Sequence, residues 1–314
     1  MSSEDEKSQE GAGGGGGGPG WINPTIQSKM EWRDGDVVVS VPGKSGTTWT
    51  MNIVYQLREK GNRNFEDIYA EVKWVEVVDR PGATVEEMVE KLNGMPVDRP
   101  RAFKTHASPP SPLPFIDSTE GNKKVKYVVV ARNPEEALVS MRIFAGKHSK
   151  EFVSMWGVPH EAFNFPDFPT FYEGFVKGSG FDRQIFEFVR DWWKLKDEPN
   201  VLMLHYTDMV NDHEGSVKKI SDFLGYGPYT DEEWQTILEL TSFGWMKKHQ
   251  IKFEATTVWE IPALERGGMV RQGSFGLARK EGMTEDIAKE VAERGREILT
   301  DDSAFEWLYK GGEL

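Results

Sequence analysis

Apolar residues along the chain follow two alternating patterns. Residues 37–41, 126–131 and 201–206 form short runs that are almost wholly apolar or β-branched, and residues 101–106 form a further short extended segment. Such runs are typical of strands covered on both faces in a parallel sheet. Between them, apolar residues recur every three or four positions, which predicts helices. The pattern therefore predicts an α/β protein, with a central parallel sheet flanked by helices.

Start and stop signals locate several of the predicted helices. The segment Thr84–Glu87 fits a capping box that opens a helix ending at Asn93-Gly94. A further helix follows Asn133-Pro134, and apolar spacing predicts others at residues 181–195, 214–224, 231–240 and 285–299. Residues 144–172 are aromatic and irregular, and are predicted to line an apolar pocket, to act as a lid, or to pack as a small separate cluster.

The first predicted strand leads into a polar loop that precedes a helix. The strand ends at Pro42-Gly43, and the loop Lys44–Thr48 runs into a helix whose apolar face carries Trp49, Ile53, Val54 and Leu57. Backbone N–H groups at a helix start lack partners within the helix, and the helix dipole adds to the charge of Lys44. We therefore expect this loop to bind an anionic group. The P-loop of nucleotide hydrolases does not fit, because its first glycine would fall at Val38.

Polar residues also end two other predicted strands. His106 precedes a proline-rich segment that cannot join a central ladder, and Lys104 lies two residues earlier on the same strand face. Arg132 ends the run 126–131, where its guanidinium suits either a phosphate or a carboxylate partner. Ligands of open α/β sheets bind at the carboxyl ends of the strands. The sequence thus predicts that His106, Lys104 and Arg132 lie at a ligand site.

Composition narrows the class of protein. The 314 residues are 38% hydrophobic and carry a formal net charge of −13, with no cysteine. The charge argues against a nucleic-acid surface, and the absence of cysteine excludes disulfides and thiolate metal sites. Residues 1–20 are acidic and glycine-rich and are predicted to form a disordered tail. Because no apolar run reaches transmembrane length and no secretory signal is visible, we expect a cytoplasmic protein without a membrane partner.

Six short motifs between residues 36 and 276 resemble, in order, those of the cytosolic-type sulfotransferases. The first is Lys44–Trp49, which is similar to the family's phosphosulfate loop, with Gly43 standing between it and Pro42. The others are Phe103–His106, the segment Arg132-Asn133-Pro134 with Ser140, the strand-end Tyr206, Thr241–Met246, and Arg271–Gly276. Each motif alone is weak, and the ordered set is specific.

The resemblance implies a single-domain sulfotransferase fold over residues 21–314, with a P-loop-like phosphosulfate-binding loop. It implies 3′-phosphoadenylyl sulfate (PAPS) as donor, its product 3′-phosphoadenosine 5′-phosphate (PAP), and no metal. The residues implied to bind the nucleotide are Lys44, Ser45, Gly46, Thr47, Thr48, Trp49, Arg132, Ser140, Tyr206, Thr241, Arg271, Gln272 and Gly273. His106 is implied as general base, with Lys44 following the bridging oxygen and Lys104 stabilising the sulfuryl oxygens.

The chain departs from the family pattern at several points. Ala107-Ser108 replaces Leu-Pro, Gln272 replaces a lysine, and Leu277-Ala278 replaces Asp-Trp. The family's dimerisation segment is not seen, so the oligomeric state stays open.

Two other functions remain to be weighed. A nucleotide or metabolite kinase with a divergent loop would need ATP and Mg²⁺, and a non-catalytic nucleotide-binding protein would not need His106. For the sulfotransferase, the sequence predicts a small-molecule acceptor with a hydroxyl or amine and does not identify it.

Overall fold

A parallel sheet lies at the centre of the computed structural model, which describes residues 20–119 and 121–314. Its strands in the described residues are β1 (Val37–Ser40), β2 (Lys73–Trp74), β3 (Ala102–Thr105), β4 (Lys126–Ala131) and β5 (Val201–His205). They lie in the order β2-β3-β1-β4-β5, and every pairing is parallel. The predicted α/β class with a central parallel sheet is confirmed. The predicted tail lies outside the described residues, apart from residue 20.

Helices connect the strands and cover both faces of the sheet. Those in the first half of the chain are α1 (Thr25–Lys29), α2 (Thr47–Arg58), α3 (Ile68–Glu71), α4 (Val85–Asn93), α5 (Pro134–Ala145) and α6 (Lys150–Met155). The later ones are α7 (Phe168–Phe171), α8 (Lys177–Ser179), α9 (Phe181–Trp193), α10 (Tyr206–Asn211), α11 (His213–Leu224), α12 (Asp231–Thr241), α13 (Phe243–Lys248), α14 (Glu285–Ile298) and α15 (Asp302–Lys310). Two 3₁₀ turns lie at His160–Phe163 and Gln250–Phe253, and a π-helical segment at Tyr172–Val176.

Alternating side chains of the central strands build two hydrophobic clusters, one on each side of the sheet. Val37 and Val39 of β1 point to the side covered by α2, α11 and α12. Val38 of β1 and Val129 of β4 point to the side covered by α5, α9, α14 and α15. Burying one such side chain stabilises the fold by about 1.5–3 kcal/mol. The valine-rich runs therefore form strands in which successive side chains pack alternately into the two clusters.

The aromatic segment predicted as irregular contains short helices, α6 and α7, and contributes to both clusters. Phe152 of α6 packs between Trp21 and Trp259, at ring-centroid distances of 4.9 and 4.8 Å. Phe168 and Phe171 of α7 are buried in the cluster beneath α9 and α14. Most of these rings are therefore core, and Phe144, at the end of α5, lines the cavity described next.

The capping box predicted at Thr84 opens α4. The Thr84 hydroxyl accepts a hydrogen bond from the Glu87 amide at 3.2 Å, and the Thr84 amide donates to the Glu87 carboxylate at 2.7 Å. Among the described residues, no helix has the length and apolar character needed to cross a bilayer.

Candidate functional site

The carboxyl ends of the strands open into a cavity of about 330 Å³. Strand β1 lies between β3 and β4, so the chain leaves the two sides of β1 in opposite directions and a crevice forms at this edge. The loop after β1, the residues after β3 and β4, and the first residue of α10 all reach the cavity wall. The predicted site residues that line it are Lys44, Gly46, Thr47, Thr48, Trp49, Lys104, His106, Arg132, Ser140, Tyr206, Arg271, Gln272 and Gly273.

The loop between β1 and α2 exposes the start of the helix to the cavity. Gly46 is the N-cap of α2 and has a φ of 100°, and no side chain in the described part of the protein caps the first turn. The first-turn amides therefore lack partners within the helix, and Gly46, Thr47 and Thr48 line the cavity, an arrangement that suits an anion. A Cβ atom on Gly46 would lie 2.8 Å from the ring of Tyr206. Only glycine fits here, because the conformation is left-handed and the tyrosine ring is packed against it.

Lys44 occupies the same loop and holds its ammonium group over an aromatic ring. Its Nζ lies 3.9 Å from the centroid of Phe144. Burial, together with the charges of Arg132 and Arg271, lowers the pKa of Lys44 to about 7. The three cations thus form a local positive region within an acidic protein, as an anionic ligand requires.

His106 and Lys104 are joined directly at the end of β3. The Nζ atom of Lys104 lies 2.7 Å from Nε2 of His106, and Nδ1 of His106 lies 2.7 Å from the carbonyl oxygen of Val41. A carbonyl oxygen only accepts hydrogen bonds, so Nδ1 carries the proton and Nε2 presents its lone pair. Burial, with the charge of Lys104 second, lowers the pKa of His106 to about 3. The ring is therefore a neutral base at pH 7.

Trp74 of strand β2 and Glu76, two residues after it, contact the Lys104–His106 pair. The ring of Trp74 lies 3.2 Å from Nζ of Lys104 and 5.4 Å, edge-on, from the ring of His106. The carboxylate of Glu76 is buried and accepts a hydrogen bond from the amide of His106 at 2.8 Å. Sequence reasoning did not select Glu76 as a site residue. The one feature that could have indicated it is an acidic residue within an apolar segment.

Arg132 ties the end of β4 to two loops. Its guanidinium donates to the carbonyl oxygens of Lys44 at 3.2 Å and Ser274 at 3.1 Å, and pairs with Glu136 at 3.3 Å. It also lies 4.5 Å from the centroid of the Tyr206 ring. Of the two partners weighed from the sequence, the carboxylate is present as Glu136. Arg132 also lines the cavity, and its binding of a phosphate stays a prediction.

The loop carrying Arg271, Gln272 and Gly273 closes one side of the cavity. Arg271 forms an ion pair with Glu281. Gly273 has a φ of 61°, and a Cβ atom there would collide with the ring of Phe243. Gln272 is exposed and lines the cavity where the family resemblance places a lysine.

Two predicted nucleotide residues do not line the cavity. Ser45 is fully buried, and its hydroxyl finds no hydrogen-bond partner among the described residues. Thr241 is also fully buried, and its hydroxyl donates to the carbonyl oxygen of Ile237 at 2.8 Å. His213 and Ser242, which sequence reasoning did not select, line the cavity near Thr241 instead.

The cavity wall, as far as the described residues form it, contains neither Asp nor Glu. Nor do residues 20–119 and 121–314 contain a group of three or more His, Cys, Asp or Glu side chains arranged to hold a metal ion.

Comparison with known proteins identifies the class. The model of the sulfotransferase domain family matches residues 34–303, so the chain belongs to the sulfotransferase family. The family resemblance noted in the sequence is thereby confirmed.

Among curated relatives, rat sulfotransferase 1A1 is 30% identical over 257 residues, covering 80% of each chain. Mouse sulfotransferase 2A6 is 28% identical over 232 residues, covering 72% of this chain and 71% of its own. The fold is similar to that of mouse sulfotransferase SULT7A1 complexed with PAP, with a TM-score of 0.66 at 23% identity, covering 90% of both chains. It is also similar to that of retinol dehydratase in complex with androsterone and inactive cofactor PAP, with a TM-score of 0.64 at 23% identity, covering 88% of this chain and 83% of the other.

Proposed function

We propose that the protein transfers a sulfuryl group from PAPS to a hydroxyl or amine of a small-molecule acceptor, with His106 as general base. One observation carries the proposal: a neutral histidine base, the buried Lys104, the half-buried Lys44 and the start of helix α2 face the same cavity. This combination suits a reaction in which a proton leaves an acceptor while negative charge builds on a phosphate.

The residues of the cavity suit the bisphosphate part of the donor. The first-turn amides of α2, with Lys44, would hold the 5′-phosphosulfate. The buried hydroxyl of Ser45, which has no hydrogen-bond partner among residues 20–119 and 121–314, lies in the same loop. Arg132, Ser140, Arg271 and Gly273 would hold the 3′-phosphate, with Gln272 where the family has a lysine. The PAP named in the SULT7A1 and retinol dehydratase structures supports this assignment.

An aromatic end of the cavity suits the purine. Trp49 and Tyr206 meet there edge-on at a centroid distance of 5.8 Å, and Phe243 lines the wall beside Gly273. Stacking on aromatic side chains stabilises a nucleobase by about 1–3 kcal/mol. We place the adenine at this end.

His106 would accept the proton of the acceptor at Nε2. Its proton on Nδ1 is fixed by the carbonyl oxygen of Val41, which keeps Nε2 free of a proton. In this structure Nε2 is hydrogen-bonded to Lys104. The acceptor group must therefore replace Lys104 at Nε2, while Lys104 turns its hydrogen bonds toward the transferring oxygens.

Lys44 and Lys104 would gain charge when the donor enters. Burial lowers the pKa of both lysines, and nearby positive charges add to the effect, those of Arg132 and Arg271 at Lys44 and that of Lys44 at Lys104. An anionic group within about 4–6 Å favours the protonated forms. Protonated Lys44 would then stabilise the charge that develops on the phosphate as the bond to sulfur breaks.

The acceptor would lie at the end of the cavity beyond Lys44. The wall there carries Trp74 and Phe144, with Tyr69, Met246 and Met269 also in the cavity wall. A partly apolar small molecule fits such a lining. The androsterone and retinol named in the retinol dehydratase structures are apolar molecules of this kind and belong to that protein. The cytoplasmic location drawn from the sequence stays a prediction.

The kinase alternative is not favoured. Phosphoryl transfer from ATP uses Mg²⁺ held by carboxylates, and the described cavity wall contains none. A non-catalytic nucleotide-binding protein would have no use for the His106–Lys104 pair.

Calorimetric titration with PAP, and in parallel with ATP and Mg²⁺, tests the donor site. We expect PAP to bind, Arg132→Ala to weaken PAP binding at least 10-fold, and the exposed Arg183→Ala control on α9 to leave it unchanged. Binding of ATP with Mg²⁺ in place of PAP would overturn the proposal in favour of the kinase.

A further inference from the structure

His213 is a second histidine in the cavity wall, at the end where we place the purine. It is the first residue of α11, follows the N-cap Asp212, and lines the cavity wall. Its ring lies 5.8 Å from that of Trp49. Among the described residues, no hydrogen bond or aromatic contact joins it to the His106–Lys104 pair, and the proton transfer proposed above does not use it.

Hydrogen bonds behind His213 determine which ring nitrogen carries the proton. Nε2 of His213 lies 2.9 Å from the hydroxyl of Thr241. That hydroxyl has one proton, which it donates to the carbonyl oxygen of Ile237 at 2.8 Å. It can therefore only accept from His213, so Nε2 carries the proton and Nδ1 is left with a lone pair.

The lone pair on Nδ1 is available to a ligand. None of the described residues donates a hydrogen bond to Nδ1, and the side chain is half-buried in the cavity wall. Burial lowers the pKa of His213, although Glu214 and Asp212 act in the opposite direction. The ring is thus neutral at pH 7 and keeps an acceptor at Nδ1.

His213 also covers the residue that the resemblance assigned to the nucleotide. Thr241 lies behind it, fully buried, with both hydrogen bonds of its hydroxyl satisfied within the protein. A threonine in this state offers the purine no hydrogen-bonding group. Ser242 also lines the wall here, but its hydroxyl donates to the carbonyl oxygen of Glu239 and accepts from the amide of Trp245. Within the described residues, it is therefore the imidazole of His213 that keeps an open acceptor at this position.

We propose that Nδ1 of His213 accepts a hydrogen bond from the exocyclic 6-amino group of the donor's purine and sets the preference for adenine. This inference rests on the proposed function, since it assumes that the bisphosphate nucleotide occupies the cavity. A 6-oxo purine presents an acceptor at the same place, which would face the lone pair on Nδ1 without a proton between them. The site therefore selects a 6-amino over a 6-oxo purine.

The test compares PAP with 3′-phosphoinosine 5′-phosphate, in which an oxygen replaces the 6-amino group, by calorimetric titration of the full chain. His213→Phe keeps an aromatic ring beside Trp49 and leaves Thr241 bonded to Ile237, but removes the acceptor. His213→Asn places an amide oxygen near the position of Nδ1. His249→Phe is the matched control, because His249 stacks on Trp245 at 4.2 Å and is not part of the cavity wall.

We expect the wild type and His249→Phe to bind PAP roughly 10-fold more tightly than the inosine analogue, as one lost hydrogen bond implies. His213→Phe should bring the ratio close to one by weakening PAP, and His213→Asn should restore most of the preference. An unchanged ratio in His213→Phe, or a wild type that binds both nucleotides equally, would overturn the role of His213 while leaving the donor site intact. Failure of the wild type to bind either nucleotide would overturn the donor site and this inference with it.

Discussion

The ammonium nitrogen of Lys104 lies 2.7 Å from Nε2 of His106. The group proposed to stabilise the transferred sulfuryl oxygens thus occupies the lone pair of the group proposed to take the proton. Trp74 holds Lys104 from the other side, at 3.2 Å from its ring centroid. The two side chains thus satisfy each other here, and under the proposed mechanism acceptor binding would separate their roles.

Replacing Lys104 with an uncharged side chain should make His106 easier to protonate. The charge of Lys104 is, after burial, the largest influence lowering the pKa of His106, which is about 3. In Lys104→Met we expect the pKa of His106 to move upward toward its usual value near 6.5. Histidine NMR titration measures this, with His106→Gln identifying the signal. An unchanged titration would show that Lys104 is uncharged beside His106.

Nucleotide affinity should depend on pH through Lys44. The pKa of Lys44 in the free protein is lowered to about 7, so the side chain loses its proton as pH rises through 7. A phosphate favours the protonated form, so above pH 7 binding must draw in a proton and PAP affinity should fall by up to about 10-fold per pH unit. Lys44→Arg stays charged and should bind PAP with little change between pH 7.5 and 9. Parallel pH profiles for the two proteins would contradict this role of Lys44.

Gly46 should not tolerate a methyl group. Gly46→Ala would place Cβ 2.8 Å from the Tyr206 ring at a φ of 100°. Gly82→Ala is the matched control, since Gly82 has a φ of 82° and open space around it. Both variants should lose about 1 kcal/mol or more of stability through the left-handed backbone. Only Gly46→Ala should weaken PAP binding, at least 10-fold by calorimetry, and equal binding by the two variants would contradict the packing described here.

A buried ion pair should be important for stability at the other end of the sheet. Arg101 donates to both carboxylate oxygens of Asp36, at 2.9 and 2.5 Å, and the two side chains are 2% and 1% exposed. Asp36→Ala leaves a buried charge and should reduce the free energy of unfolding by about 3–5 kcal/mol.

The control for this pair is Asp222→Ala, whose partner Lys218 is exposed. Removing this exposed pair should lower the free energy of unfolding by less than about 1 kcal/mol, measured by urea unfolding of both variants. Similar losses of unfolding free energy in the two variants would show that the buried pair contributes no more to stability than the exposed pair.

Much of the fold followed from local patterns. The valine-rich runs predicted β1 and β4 because both faces of each strand are buried, and the capping box predicted the start of α4. Strand β2 was not predictable, because its two residues become a strand only by pairing with β3. The short helices α6 and α7 were equally hidden, since they are held by contacts of their aromatic rings with the core.

The candidate site was predictable where residue type and strand ends coincide, as at His106 and Arg132. It was not predictable where hydrogen bonds between distant segments decide which side chain faces the cavity. Thr241 lies behind His213 because its hydroxyl bonds to Ile237 one helical turn earlier, and no sequence pattern records that choice. Glu76 was missed for the same reason, because its partner is the backbone of another strand.

Transfer of labelled sulfuryl groups under single-turnover conditions tests the central claim most directly. The enzyme, loaded with ³⁵S-labelled PAPS, would be mixed with a panel of small alcohols, phenols and amines. We expect the wild type to label an acceptor, and His106→Ala to bind PAP normally but transfer the label about 10²–10⁴-fold more slowly. Transfer by His106→Ala at the wild-type rate would contradict the assignment of the base, and the absence of transfer to any acceptor by a wild type that binds PAPS would contradict the proposed activity.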